Sequence, residues 1–328
     1  MSQYRINWID WAKAIAIFAV VHGHLSRDSD PYWTVEVANL GRLFHVPLFF
    51  LVSGYLFRVK DDNFKDFVWY SIKSLIVPYL FFNFVSAAIL WKLQSPEVYH
   101  NGLYGFLLVK GNAFAGPAWF LVVLFLIRLI AYGMEKLKSQ QAQWGIFFAM
   151  IVVSAILPFK IHMGVSSAIL SFPFFFGGHY FRQKEFAKKY IELPFIVKLI
   201  SFLVLLLVCI ILKDYSRSMD LGNAAFKGGS IVISYLFVAL YVLMAVTFCI
   251  LLNNIELKVI KTISAGCIVI MGFHMTIVQI FWAYSTKFPD IVSLLFKSPL
   301  LSITSFVLSL LIAIYLMRYT PFLIGNRK

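Results

Sequence analysis

The chain of 328 residues is 61% hydrophobic and 18% aromatic, with a formal net charge of +14 and a mean hydropathy of +0.82. This excess of apolar residues is typical of helices that face lipid and excludes a soluble protein. Basic loops beside anionic lipid explain the positive charge, so nucleic acid is not implied as a partner.

Ten apolar stretches approach the length of about 20 residues that crosses a bilayer as a helix. They centre on residues 8–25, 40–57, 68–90, 118–133, 144–159, 168–181, 193–212, 229–252, 263–284 and 299–317. A shorter apolar piece, 103–109, predicts a re-entrant or interfacial segment. The sequence therefore predicts an all-α polytopic membrane bundle of about ten transmembrane helices. We expect one domain over residues 1–328 and no soluble extracytoplasmic domain.

Lysine and arginine cluster in alternate loops of this predicted bundle, which orients it by the positive-inside rule. The clustered residues are Arg58, Lys60, Lys65, Lys73, Lys136, Lys138, Arg182, Lys184, Lys188, Lys189, Lys198, Lys258, Lys261, Arg318, Arg327 and Lys328. The opposite loops are sparser in basic residues or mixed with acidic ones, as in "RDSDPYWTVE". Both termini are therefore predicted to be cytoplasmic.

The first predicted helix carries charged and titratable residues along one face. Lys13 and His24 are eleven positions apart and fall about 20° from each other around a helix, whereas His22 points to nearly the opposite side. Asp10 precedes Lys13 by three positions and is predicted to pair with it.

Two interpretations of this face are open. Asp10 and Lys13 are consistent with an ordinary membrane interface at which the lysine extends toward water, and His24 with a hydrogen-bonded residue at the outer helix end. Alternatively, the face lines a cavity in which Lys13 binds an anion and His24 acts as a base. The second predicted helix favours the cavity, because His45 lies at a similar depth and helix packing does not explain it.

Several sequence blocks together resemble the acyltransferase 3 membrane proteins, within them the fucose 4-O-acetylase-like branch. The blocks are "INWIDWAKAIAIFAVVHGH", "FHVPLFFLVSGYLF", "KSLIVPYLFFN", "GPAWFLVVLF" and "ISAGCIVIMGFH", in the order of the family. Lys13, ten residues and then His24 match the family's basic residue and histidine. Many members carry arginine at the position of Lys13, and lysine keeps the charge without the bidentate geometry.

The resemblance implies transfer of an acyl group, usually acetyl, from cytoplasmic acyl-CoA to a sugar hydroxyl of a cell-surface or lipid-linked glycan. Histidine titrates near working pH, so His24 is the expected base or an acyl-accepting nucleophile, assisted by Lys13 and Asp10. His45 or His274 would polarise the thioester carbonyl or position the acceptor.

Further site residues are expected on the second, third and later helices. Ser53, Tyr55 and Asn83 are candidate hydrogen-bond donors to the developing oxyanion. Lys73 is expected to meet a phosphate of acetyl-CoA, and Trp119 is either a packing aromatic or a platform for the substrate. The three cysteines stand in no metal-ligand spacing, and no metal is expected.

A multi-pass transporter or flippase for a lipid-linked sugar is the competing prediction, and a silent membrane scaffold is the third. Transporters often show two related halves. Here the polar residues concentrate in the first three helices and no second half echoes "FHVPLFFLVSG", which favours an enzyme. Acetyl and succinyl both remain open as the acyl group, and the family suggests a bacterial inner membrane.

Overall fold

The computed structural model describes residues 6–27, 30–59, 63–137, 139–156, 161–215, 219–226, 230–284 and 300–325. Nearly all of this backbone is helical, and the sheet within it is a two-stranded antiparallel hairpin with two residues in each strand. The predicted all-α class is therefore confirmed.

The described α-helices are numbered in chain order. They are α1 (Asn7–Leu25), α2 (Tyr32–Leu56), α3 (Phe64–Ser71), α4 (Val77–Leu90), α5 (Pro96–Leu108), α6 (Trp119–Lys136), α7 (Gln140–Ile156), α8 (Val165–Gln183), α9 (Phe186–Ile191), α10 (Phe195–Ile211), α11 (Ile231–Leu251), α12 (Lys258–Ala283) and α13 (Leu300–Tyr319). A π-helical turn, Ile72–Ile76, joins α3 to α4, and a 3₁₀ turn, Gly116–Ala118, precedes α6. The hairpin strands are β1 (Met219–Asp220) and β2 (Ala225–Phe226).

Each of the ten predicted apolar segments contains a helix, and α5 occupies the short segment that was predicted not to span. Six helical stretches in the described residues are long and apolar enough to cross a membrane: Tyr32–Leu56, Phe64–Leu90, Gly116–Lys136, Ile231–Asn254, Lys258–Ala283 and Leu300–Tyr319. The chain is therefore a multi-pass integral membrane protein. The number of about ten crossings stays a prediction, as do the cytoplasmic termini, which lie outside the described residues.

Glycines bring the central helices into backbone contact. A Cβ atom on Gly54 would lie 1.9 Å from the carbonyl oxygen of Phe175, and one on Gly178 would lie 1.8 Å from that of Leu51. Helices α2 and α8 therefore touch at two points that admit no side chain, the packing typical of membrane helices.

The two ends of the bundle differ in charge. Helices α1 and α12 run in the same direction, because Asn7 bonds to the carbonyl of Ile255 before α12 and the Arg27 guanidinium lies 5.8 Å from the Trp282 ring near its end. We call the end where α1 and α12 begin the basic end, and the opposite end, where α1 finishes at His24 and Leu25, the histidine end. Basic residues near the basic end are Arg58, Lys65, Lys73, Lys136, Arg182, Lys184, Lys188, Lys189, Lys258, Lys261 and Arg318.

The membrane-spanning stretch Phe64–Leu90 is interrupted by the π-helical turn, just before Pro78. Proline lacks an amide hydrogen, and a π turn ahead of it relieves the clash with the preceding turn. The interruption holds Ser74, whose hydroxyl accepts a hydrogen bond from Arg128 of α6 at 3.2 Å. A guanidinium inside a membrane span is therefore directed at the broken helix.

Candidate active site

The two histidines of α1 have separate environments. His22 is buried, with Nε2 3.0 Å from the carbonyl oxygen of Thr34 and Nδ1 3.1 Å from the hydroxyl of Ser302. His24 is exposed, and its ring centroid lies 5.7 Å from that of His274. Residues two positions apart point to nearly opposite sides of a helix, as predicted. His22 thus joins three helices, and the catalytic role predicted for His24 stays a prediction.

His274 provides a bare imidazole nitrogen beside His24. Its Nδ1 lies 2.9 Å from the carbonyl oxygen of Ile270, and since a carbonyl only accepts, Nδ1 carries the hydrogen. Its Nε2 is buried and has no hydrogen-bond partner among the described residues. A buried lone pair without a donor is costly, so this nitrogen is available to accept a hydrogen bond, for example from a hydroxyl group.

His45 reaches the same region from α2. Its Nδ1 lies 2.7 Å from the carbonyl oxygen of Gly41, which again leaves Nε2 as the acceptor. His45 interacts electrostatically with His24, as does His274. Three helices therefore bring three predicted site residues together.

Arg42, one turn before His45, is a site residue that the sequence interpretation missed. Its Nε and Nη2 donate to the carbonyl of Gly23 at 3.1 and 2.7 Å, and its Nη1 donates to the Asn39 side chain at 2.7 Å. The guanidinium interacts electrostatically with His24 and His45. The sequence did contain a sign of this residue: Arg42 is a single cation inside the predicted apolar segment 40–57. A charged side chain at membrane depth costs free energy, so its presence there indicates a function.

The β hairpin packs onto this end of the bundle. A Cβ atom on Gly222 would lie 2.9 Å from the ring of Trp119, which is itself buried at the start of α6. Asp220 of the hairpin interacts electrostatically with His24 and accepts hydrogen bonds from the backbone and side chain of Asn223. Trp119 is thus a packing aromatic for the hairpin, and Asp220 is a second residue that the sequence interpretation missed.

Asn83 holds the backbone around the site. Its Oδ1 accepts from the amide of Ala115 at 3.2 Å and its Nδ2 donates to the carbonyl of Tyr79 at 3.0 Å. The amide group therefore fixes the loop before α6, and the oxyanion role predicted for Asn83 stays a prediction.

Asp10 and Lys13 lie further along α1, toward the basic end. Asp10 is buried and accepts a hydrogen bond of 2.5 Å from the hydroxyl of Ser264 on α12. Both Asp10 and Lys13 interact electrostatically with Cys267. The polar face of α1 therefore packs toward α12 from Asp10 to His24, while the Asp10 to Lys13 pairing stays a prediction.

Three other predicted residues lie away from the histidines. Ser53 and Tyr55 are eight and ten positions after His45, about 12 and 15 Å along the axis of α2. Tyr55 contacts the Trp8 ring at 5.1 Å and interacts with Arg182. Lys73 is exposed in the π-helical turn with its ammonium 4.8 Å from the Trp69 ring. The structure does not bring these residues to the histidine pair.

A polar cluster around the buried His179 lies at the basic end. His179 lies 2.9 Å from a carboxylate oxygen of Glu135 and 3.3 Å from Arg182. The Nε atom of Arg182 is buried without a partner among the described residues, and this guanidinium interacts electrostatically with Arg58. Two guanidinium groups close together at a membrane face favour binding of an anion. Within the described residues no group of histidine, cysteine or acidic side chains forms a metal site.

A family model described as an acyltransferase domain matches residues 6–318. Nodulation protein NolL of Sinorhizobium fredii is 28% identical over 185 residues, which cover 53% of this chain and 48% of that protein. Nodulation protein NolL of Mesorhizobium japonicum is 29% identical over 125 residues, 36% of this chain and 32% of that protein. The matches thus span less than half the length of these relatives. No solved structure matches the chain.

Proposed function

The chain belongs to the acyltransferase domain family, and we propose that it transfers an acyl group, acetyl in the first instance, from acyl-CoA to a sugar hydroxyl of a cell-surface or lipid-linked glycan. The observation that carries this proposal is the histidine pair, His24 and His274, at one end of a bundle whose other end is basic. The pair offers a base to a hydroxyl, and the basic end offers cations to a polyanionic donor.

The transfer needs a group that takes the hydroxyl proton as the sugar oxygen attacks the thioester carbon. In the proposed reaction His24 takes this proton, a tetrahedral oxyanion forms, and the carbon–sulfur bond breaks. The imidazolium then returns the proton to the departing thiolate of CoA. In the alternative, the His24 imidazole attacks the thioester carbon, the carbon–sulfur bond breaks, and CoA leaves as the thiol with the imidazole proton. The sugar hydroxyl then takes the acyl group from the imidazole and leaves its proton on the ring.

Two neighbours of His24 have distinct tasks in this scheme. His274 accepts a hydrogen bond at its bare Nε2, which orients either the hydroxyl or the His24 ring. Arg42 places a positive charge where the oxyanion develops and fixes the carbonyl of Gly23, next to His24 in the chain. Developing charge on the oxygen is stabilised most by groups that are already in place.

The acyl donor is proposed to bind at the basic end. The nucleotide part of CoA carries several negative charges, and the electrostatic repulsion between Arg58 and Arg182 favours an anion such as a phosphate beside them. Lys73 follows Arg58 in the chain and is exposed in the π-helical turn between α3 and α4. The thin pantetheine arm would then run along the polar face of α1, about 16 Å from Lys13 to His24.

This division of substrates supports the proposed topology. We infer about ten crossings with the basic end and both termini in the cytoplasm, because lysine and arginine concentrate at cytoplasmic loops. By the resemblance, the membrane is the inner membrane of a bacterium. The glycan acceptor then approaches from the outer side, where His24 lies.

The testing experiment uses the purified chain in nanodiscs with acetyl-CoA labelled in the acetyl group, scoring free CoA and protein-bound label. We expect CoA release by wild type and loss of CoA release in His24→Gln. His100→Gln should release CoA like wild type, because His100 is exposed and its imidazole bonds only to the carbonyl of Pro96 among the described residues. Label retained on the protein would identify a covalent intermediate. Absence of CoA release with a soluble glycoside present would contradict the proposal and favour a transporter.

A further inference from the structure

We propose that a cavity at the histidine end, lined by side-chain amides, binds one uncharged sugar ring of the acceptor. The inference rests on the proposed function and adds the place and the charge class of the acceptor. The cavity has a volume of about 270 Å³ and lies between α5, the loop before α6, and α12. This volume is at the low end for ligand pockets, which suits a single pyranose ring.

Four amide side chains line this cavity: Gln94, Asn101, Asn112 and Gln279. Each amide offers a donor and an acceptor, which is the pairing that a sugar hydroxyl requires. No charged side chain is among the described residues that line the cavity. The lining therefore favours a neutral hydroxylated ligand over a phosphate or a carboxylate.

The amides are only partly satisfied by one another. Gln94 donates from Nε2 to Oε1 of Gln279 at 2.9 Å, and Asn112 donates to the backbone carbonyl of Asn101 at 3.1 Å. The Oε1 atom of Gln94 is buried and has no partner among the described residues. A buried acceptor without a donor is costly, and a ligand hydroxyl would satisfy it.

An aromatic ring forms one wall of the cavity, and a glycine, which has no side chain, keeps part of the cavity open. Phe114 is buried and its ring lies 4.8 Å from that of Tyr99, so its position is fixed. A ring of this kind supplies the apolar surface on which the C–H face of a sugar packs. Gly111 lines the cavity, and a Cβ atom there would meet nothing within 4 Å.

The cavity shares helix α12 with the histidine pair. Met275, which lines it, follows His274 in the chain and packs against Gly116 of the turn before α6. Gln279 lies on the same helix, about 8 Å along the axis from His274. Met275 and Gln279 point about 100° and 140° away from His274 around the helix, so the cavity opens on a neighbouring face of α12. The ring held by the amides is thus one sugar of a larger acceptor, and the sugar next to it is the one that meets the proposed base.

Saturation-transfer NMR on the full chain in nanodiscs, without acyl-CoA, tests this assignment. The probes are methyl α-D-glucopyranoside and methyl α-D-galactopyranoside, with the methyl glycoside of glucuronic acid as the charged comparison. Gly111→Leu fills the cavity. Gly145→Leu is the matched control, because Gly145 is an exposed position on α7 that also has no atoms within 4 Å of a Cβ.

We expect at least one neutral glycoside to bind wild type and Gly145→Leu equally, the glucuronide to bind more weakly, and Gly111→Leu to lose about tenfold in affinity or more. No binding of either neutral glycoside to wild type, or equal binding to Gly111→Leu, would overturn the assignment. CoA release from acetyl-CoA is measured on the same samples. Sugar binding without CoA release would contradict the proposed function and support the cavity as a sugar site. CoA release without sugar binding that depends on the cavity would support the proposed function and contradict the cavity assignment.

Discussion

The imidazole rings of His24 and His274 lie 5.7 Å apart, centroid to centroid, at an angle of 38°, although one belongs to the first helix and the other to the penultimate described helix. The Nδ1 of His274 is committed to a backbone carbonyl, so its Nε2 remains for chemistry. Folding of the whole chain is needed to bring these two rings together, which makes their proximity specific to the native state.

The first prediction separates the two histidines of α1. His22→Gln loses the pair of hydrogen bonds to Thr34 and Ser302 and should lower the free energy of unfolding by about 1–3 kcal/mol. Transfer per folded molecule should stay within about twofold of wild type, because the ring points away from His24. Thermal unfolding in detergent and acetyl transfer, measured together, check this. Loss of transfer at an unchanged unfolding temperature would place His22 in the reaction.

The second prediction concerns the contact between α2 and α8. Gly54→Ala and Gly178→Ala each place a methyl group within 2 Å of a carbonyl oxygen, so the helices must separate. We expect each variant to lose several kcal/mol of stability, seen as poor recovery of monodisperse protein. Gly177→Ala is the matched control, because a Cβ at Gly177 meets nothing within 4 Å. Equal recovery of all three variants would show that this close packing is absent.

The third prediction tests Arg42 as a positioning residue. Arg42→Lys keeps the charge but loses the two bonds to the Gly23 carbonyl, so His24 should shift. We expect kcat to fall about 10- to 100-fold with KM for acetyl-CoA nearly unchanged. Arg27→Lys, an exposed arginine at the same end, should keep the wild-type kcat. A rise in KM alone would instead assign Arg42 to donor binding.

The fold was largely predictable because the apolar runs are long and each contains a helix. The start of α2 was not predicted. The helix begins at Tyr32, eight residues before the apolar run, because residues 32–39 include polar side chains that hide the helix from a search for apolar runs. The π-helical turn was also missed, because Pro78 alone does not specify how the preceding turn adjusts. All but the last residue of the short apolar piece 103–109 lies in a helix of 13 residues, α5, and the re-entrant or interfacial position of this piece stays a prediction.

The candidate site was predictable where one helix supplies the geometry. The opposite directions of His22 and His24 follow from the helical period alone. The partners of His24 depend on packing between distant segments, so Arg42 and Asp220 could not be assigned from a single sequence. Tyr55 was predicted as a hydrogen-bond donor to the oxyanion, and the length of α2 places it beside Trp8, toward the basic end. Lys73 was expected to meet a phosphate of acetyl-CoA, and that role stays a prediction.

The central claim is that His24 and His274 act as one reaction centre, and single-turnover acetyl transfer by His24→Gln, His274→Gln and the double variant tests it most directly. Groups that act as a unit give losses that do not add. We predict that each single variant loses at least about 100-fold in rate and that the double variant is no slower than the slower single one. Wild-type rates in His24→Gln, or losses that multiply in the double variant, would contradict the claim.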